Sequence, residues 1–327
     1  MDILLLDALL PEAVDWLASR HHVEYRPELA EDLVALRQAA YKTRGIVFSR
    51  QTVVTHELLD FLPRLEAVAR LHVGMDNSGL EACKARGIKV VHASSAHVRA
   101  NAEYLLSSLL LLYRRGVVSS LMGRRPAAIQ LGRELHGSTV GMLGLAPVAQ
   151  TLAGMLSGLG VRLIGYDPAV HHTSPLWERL RIQPVSLPEL IGQADAVSVQ
   201  MLYASRFKGF VNAKLLAACK PEQLWVGLSR SELFEQEALA AALRDGRIEA
   251  CILDGHEAGF LGETSPLNGL KNLFITPRLS SHTREARLRA SWYVAHRLHE
   301  ALSTPAAGVN APPSAPVRLE SPMALMP

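Results

Sequence analysis

From Thr139 the chain reads Thr139-Val140-Gly141-Met142-Leu143-Gly144-Leu145-Ala146-Pro147-Val148-Ala149-Gln150, a short apolar run, a turn of small residues and a helix-compatible continuation to Leu159. A second apolar run, Val161–Tyr166, ends in Asp167, eighteen positions after Ala149. Residue types in this order suit a dinucleotide. A glycine makes the tight turn, small residues let the backbone approach a pyrophosphate at a helix N-terminus, and the carboxylate hydrogen-bonds the adenosine ribose and disfavours a 2′-phosphate. The turn here is Gly144-x-Ala146-x-x-Ala149. Ala149 satisfies the third position, which only needs close helix–strand packing. Ala146 stands where a second glycine would bring the backbone nearer the phosphates. Pro147 suits a first helical turn but has no N–H to donate. One lost hydrogen bond to a charged group costs roughly 1.5–3 kcal/mol, about ten- to a hundredfold in affinity. Taken alone, the segment also reads as a βαβ turn that binds nothing.

Such a turn has to sit at the end of a strand, and the rest of the chain supplies strands in alternation with helical patterns, the signature of a parallel α/β sheet. Ile3–Leu6, Gly45–Phe48, Leu65–Leu71 and Lys89–Val91 read as buried strands, and Pro11–Ser19 as a helix opened by Pro11. Near position 98 the rhythm changes. Asn101–Arg114 forms a helix dense in leucine on more than one face, which predicts burial. A second βα series runs from Thr139 to about Pro277, a last helix covers Thr283–Leu302, and Ser303–Pro327 turns to Pro, Ala, Ser and Gly without periodicity, as a flexible tail does.

Composition narrows the classes. The chain has 327 residues, enough for two domains. With 34 Lys and Arg against 31 Asp and Glu the formal charge is +3, not the footprint of a nucleic-acid binder. Cys83, Cys219 and Cys251 are isolated, which offers neither a disulfide framework nor paired metal ligands, so no metal is expected and a reducing cytoplasm is the default. No export signal opens the chain, and its longest greasy stretch, Tyr104–Tyr113, is far too short to span a bilayer.

Further residues carry a resemblance. Leu187-Pro188-Glu189-Leu190-Ile191-Gly192-Gln193-Ala194-Asp195 is followed by Arg230, by Glu237-Ala238-Leu239-Ala240-Ala241-Ala242-Leu243-Arg244-Asp245-Gly246-Arg247-Ile248, by Leu253-Asp254 and by Ile275-Thr276-Pro277. With the Gly144 turn and Asp167, this order resembles the D-isomer-specific 2-hydroxyacid dehydrogenases over residues 1 to about 300. His72-Val73-Gly74-Met75-Asp76-Asn77 looks like that family's substrate loop, and Asn101-Ala102-Glu103 like the start of its long inter-domain helix. The resemblance implies a Rossmann-type doubly wound parallel sheet domain, residues 99–283, inserted in a smaller flavodoxin-like α/β substrate domain of residues 1–98 and 284–302. It implies NAD as cofactor, a small 2-oxo or 2-hydroxy acid as substrate, and a homodimer. Gly144, Ala146, Pro147, Val148, Asp167, Ser229 and Asp254 fall at its cofactor positions, and Arg50, Val73, Gly74 and His97 at its substrate positions.

Its catalytic set is incomplete here. Arg230 matches the substrate-binding arginine, whose planar fork grips a carboxylate or keto oxygen. The acid–base histidine that follows Thr-Pro in the family is replaced by Arg278, and the glutamate that tunes it by Gly259. A guanidinium keeps its proton at neutral pH, and losing a general acid–base group costs about 10²–10⁴-fold in rate. Gly227 stands for a usual Asn, Ser231 for a usual Gly, Leu202 for a usual Pro and Phe207 for a usual Thr. His97, His256 and His282 are the candidate substitute acids, and Arg278 is a candidate second anion clamp for a dicarboxylate or phosphorylated ligand. Asp254-Gly255-His256-Glu257 with an arginine after Thr-Pro is also similar to the non-catalytic C-terminal-binding corepressors and their plant relatives. Two functions therefore stand: an NAD-dependent oxidoreductase, or a catalytically impaired relative that senses or scaffolds.

Overall fold

The computed structural model describes residues 1–71, 77–117, 120, 131–257 and 259–303. The chain divides into two compact units, Met1–His92 with the chain from Ser291 onward, and Ala93–Ala290, so the second is inserted within the first.

Among the described residues, the first unit holds a parallel sheet in the order β2-β1-β3-β4-β5, with β1 Ile3–Leu5, β2 Val23–Tyr25, β3 Gly45–Val47, β4 Ala67–Arg70 and β5 Lys89–His92. This is the flavodoxin-like order. Its central strands are apolar on both faces because helices cover both, as all-parallel sheets require. Leu4, Ile46, Phe48 and Val68 pack with Leu36 and Leu58 of those helices. Edge strand β2 escaped the sequence reading: it is only partly buried, and an edge needs backbone partners rather than an apolar run.

The second unit builds a parallel sheet in the order β12-β11-β10-β9-β6-β7-β8, formed by β6 Thr139–Leu143, β7 Arg162–Tyr166, β8 Gln183–Pro184, β9 Ala196–Val199, β10 Gln223–Gly227, β11 Ile248–Asp254 and β12 Leu273–Thr276. Strand order reverses between β6 and β9, the doubly wound arrangement. Alternate side chains enter opposite cores. Leu143, Val197, Val199, Trp225, Cys251 and Leu253 pack on one face; Val140, Met142, Ala196, Leu224, Val226 and Ile252 pack on the other. The leucine-rich helix runs Val98–Tyr113, starting three residues before the expected Asn101, and buries Leu105, Leu109 and Leu112 against the second of these cores. The final helix is Arg284–Ser303. Ser303, expected as the first residue of the tail, closes this helix, while residues 304–327 lie outside the described part of the chain.

Candidate functional site

The polar residues singled out in the inserted unit collect beyond the carboxyl ends of its strands. Gly144 follows β6, Asp167 follows β7, Ser229 and Arg230 follow β10, Asp254 ends β11, and Arg278 follows β12. In an open α/β sheet this edge, at the switch of strand order, is where ligands bind.

Gly144 has φ of +94°, and a side chain there would come within 2.6 Å of the Met201 backbone, so only glycine fits this turn. The helix Pro147–Gly158 follows, with Ala146 as its N-cap, Pro147 in its first turn and no side-chain cap. The amides of Val148 and Ala149 therefore open the helix, and Pro147 contributes none. Asp167 accepts hydrogen bonds from Leu145 N–H at 2.6 Å and Ala169 N–H at 2.7 Å. These tie the end of β7 to the turn after β6 and leave further lone pairs on the same oxygens. Ser229 Oγ donates to the Met201 carbonyl at 3.0 Å, linking the ends of β9 and β10. The glycine cradle, the uncapped helix start and the aspartate fit a dinucleotide with one amide donor fewer than usual.

Arg230 is exposed at the start of a short 3-10 turn, its guanidinium 3.8 Å from Glu232 and 5.7 Å from the centre of the Tyr203 ring. Arg278 stands in the left-handed region at φ +56°. The loop that carries it is pinned from below. Asp254, only 7% exposed, accepts from Thr276 Oγ1 at 2.5 Å, Leu279 N–H at 2.7 Å and Ser280 N–H at 2.8 Å. Thr276 Oγ1 also lies 2.6 Å from the hydroxyl of Tyr104 on the Val98–Tyr113 helix. Asp254, expected as a cofactor contact, thus spends most of its acceptor capacity holding the Arg278 loop.

Gly259 is an exposed turn residue at φ +85°. The carboxylate that approaches Arg278 belongs instead to Glu257, at 3.5 Å. Glu257 accepts a 2.8 Å hydrogen bond from Ser231 N–H and another from Ser231 Oγ, and its own N–H donates to that Oγ at 3.1 Å. Burial pushes the Glu257 carboxyl up, but the two Ser231 hydrogen bonds and the Arg278 and Arg230 charges outweigh it and hold the group below its ordinary range. Sequence reasoning passed over Glu257 because it sits two residues before the expected position. An arginine at 278 in need of a counter-charge was the available signal.

Of the candidate acids, His97 is 3% exposed at the start of the Val98–Tyr113 helix. His256 Nδ1 donates to the Glu257 carbonyl at 2.9 Å, and His282 Nδ1 to the Arg278 carbonyl at 2.8 Å. Both rings flank the Glu257–Arg278 segments. Arg50 is exposed just past β3 in the other unit, and Val73 and Gly74 lie outside the described residues.

Residues 113–280 match the family model described as D-isomer specific 2-hydroxyacid dehydrogenase, NAD binding domain. Over 304 residues, 92% of this chain and 98% of the relative, the sequence is 30% identical to an (S)-sulfolactate dehydrogenase from Chromohalobacter salexigens. The chain belongs to the D-isomer specific 2-hydroxyacid dehydrogenase family. Within that family it is 31% identical to a D-3-phosphoglycerate dehydrogenase from Mycobacterium tuberculosis, of which it spans 57%. Its fold is that of the TT0316 protein from Thermus thermophilus, with a TM-score of 0.78 at 27% identity over 92% of this chain and 97% of that one. The segment that matches the NAD binding domain model contains the Gly144 turn and Asp167. Among the described residues no helix is long and apolar enough to cross a membrane.

Proposed function

We propose that this family member is an NAD-dependent oxidoreductase that interconverts a small 2-oxo acid and its 2-hydroxy acid. The observation that carries the reading is Arg230, an exposed guanidinium on the same strand-end edge as the Gly144 turn and Asp167. Val148 and Ala149 amides would face the pyrophosphate, and Asp167 would hold the adenosine ribose and select NAD over NADP. When bound, the nicotinamide supplies or accepts the hydride. Arg230 binds the substrate carboxylate and orients the C2 carbonyl through its fork. Arg50, Val73, Gly74 and His97 fall at the family's substrate positions by the resemblance of the sequence. Glu257 is held below the ordinary carboxylate range and a guanidinium yields no proton at neutral pH, so neither group is a proton donor. Water at the exposed strand edge delivers the proton that completes the hydroxyl, and the charges of Arg230 and Arg278 stabilise the oxyanion before it arrives.

In this reading residues 99–283 serve the dinucleotide, 1–98 with 284–302 serve the substrate, and the protein works as a homodimer in the cytoplasm. Its free cysteines agree with a reducing compartment.

The test is NADH oxidation with short 2-oxo acids. The wild-type protein should reduce at least one of them, and Arg230→Ala should lower kcat/KM on the order of a hundredfold or more. NADH binding with no turnover of any acid would instead leave the impaired, ligand-sensing relative.

A further inference from the structure

Two departures from the family resemblance, Ser231 and Arg278, meet in space around one carboxylate, that of Glu257. Ser231, where glycine is usual, anchors Glu257 through its hydroxyl and its backbone N–H. Glu257 in turn places its other oxygen 3.5 Å from Arg278, which stands where histidine is usual. Arg278 lies across Gly255, where an added Cβ would come within 2.6 Å of its Cγ and 3.1–3.2 Å of Nε and Cζ. Gly255 itself has φ of +87°, so the position admits the long side chain only because it carries none. Loss of function by drift scatters substitutions. Here the seat, the counter-charge and the anchor of that counter-charge all serve the same guanidinium.

That guanidinium is presented rather than consumed. Among the described residues neither the Arg230 nor the Arg278 guanidinium donates a hydrogen bond, and only the Arg278 backbone N–H does so, to the Thr276 carbonyl at 2.9 Å. Their carboxylate neighbours remain at 3.8 Å and 3.5 Å, and both side chains are 48% exposed. Glu257 directs its hydrogen-bonding capacity at Ser231, so it steers Arg278 by charge and leaves the N–H fork open. Glu257 is bonded to Ser231, the neighbour of Arg230 in the chain, and lies 3.5 Å from Arg278, so one anchored carboxylate joins the two segments that carry the forks.

We infer that Arg230 and Arg278 form a two-fork oxyanion site and that the substrate carries a second anionic group next to its 2-oxo acid. The inference rests on the oxidoreductase reading for the reaction, in which the 2-oxo acid gains a hydride from NADH and a proton from water. Arg230 takes the carboxylate, and Arg278 takes the second oxyanion on the neighbouring carbon. Carboxylate, sulfonate and phosphate share the required chemistry, since each offers a guanidinium two acceptor oxygens. Arg278 is thereby a specificity-determining residue, and Gly255, Ser231 and Glu257 are its positioning residues.

The experiment compares pyruvate and hydroxypyruvate with oxaloacetate, 3-sulfopyruvate and 3-phosphohydroxypyruvate as substrates. In parallel, calorimetry measures the binding of oxamate, malonate, sulfoacetate and phosphoglycolate, which does not depend on turnover. Wild-type protein should favour the doubly anionic members by about ten- to a hundredfold, the worth of one charged hydrogen-bonding partner. In Arg278→Gln that ratio should collapse, in Arg278→Lys it should persist in part, and Gly255→Ala, by displacing the fork, should reduce it while far-ultraviolet circular dichroism stays native. Which of the three doubly anionic substrates leads identifies the oxyanion. Equal handling of singly and doubly anionic acids by the wild type, or a preference that survives Arg278→Gln, overturns the inference. Selective binding of malonate or sulfoacetate that depends on Arg278, without turnover of any acid, would uphold the two-fork site and reject the oxidoreductase reading. Absence of both binding and turnover would reject the two together.

Discussion

Asp254 at the end of β11 accepts a 2.8 Å hydrogen bond from the backbone N–H of Ser280, two residues past Arg278. With the Leu279 N–H and the Thr276 hydroxyl on its other oxygen, the carboxylate dictates the course of the loop that presents the guanidinium. Asp254→Asn keeps one acceptor oxygen and turns an amide donor towards a donor. It should cost about 1.5–3 kcal/mol of stability per charged hydrogen bond lost, read as a lower midpoint in urea. The same variant should weaken binding of doubly anionic acids through displacement of Arg278.

Pro147 removes one amide from the helix start that, in the proposed reading, would face the dinucleotide phosphates. Pro147→Arg restores the N–H and adds a cation, and the position is exposed enough to accept it. NADH should bind about tenfold tighter, the equivalent of one charged hydrogen bond. Titration calorimetry decides this, and an unaltered dissociation constant would show that the missing amide is irrelevant.

The pH dependence of kcat/KM should differ from that of an enzyme with a histidine acid. Glu257 is held below its ordinary value of 4.5, so it stays ionised from neutrality well into acid. As pH falls through its folded value, the carboxylate charge and the Ser231 hydrogen bonds to it are lost together. The profile should be level around neutrality and drop only in the acid carboxylate range. A limb near pH 6.5, the ordinary histidine value, would place His256 or His282 in the chemistry.

Two histidines of the first unit set a separate stability term. Burial lowers His21, with the adjacent His299 (Nε2 to Nδ1, 2.9 Å), Arg44 and Arg20 acting the same way and Asp2 opposing. Burial and then Arg70 lower His92. In each case the unfolded chain binds the proton more readily, so their contribution is complete above the unfolded value of 6.5 and is lost as pH falls below it. The melting temperature should therefore decline between pH 7 and 5. The decline should be shallower in a His21→Gln, His92→Gln double variant, whatever its absolute stability.

The thiols should be inert in the native protein. Burial pushes Cys83 and Cys251 up and raises Cys219 to about 12, and thiolate is the reactive form. A thiol reagent at neutral pH should modify all of them only after denaturation. Rapid labelling of Cys219 in the folded state would contradict its described surroundings.

Much of this protein was settled by the order of its residues alone. Apolar runs such as Val140–Leu143 and Leu224–Val226, each followed by helical spacing, can be buried only as strands of a covered parallel sheet. Gly144, Asp167 and Arg230 then fall at strand ends because strands and helices alternate. Those inferences hold because each depends on local periodicity and on neighbours a few residues away. What periodicity does not encode is which side chains meet after the chain has returned several times to one edge. Ser231 and Glu257 are 26 residues apart, and Arg278 lies on yet another strand end. The gap left by Gly259 looked like a missing counter-charge until folding brought Glu257 into it. That Asp254 holds the Arg278 loop through three hydrogen bonds was likewise not visible in its place at a strand end. Charge pairing and hydrogen bonding act through space at a few ångströms, so these roles were decided by tertiary structure.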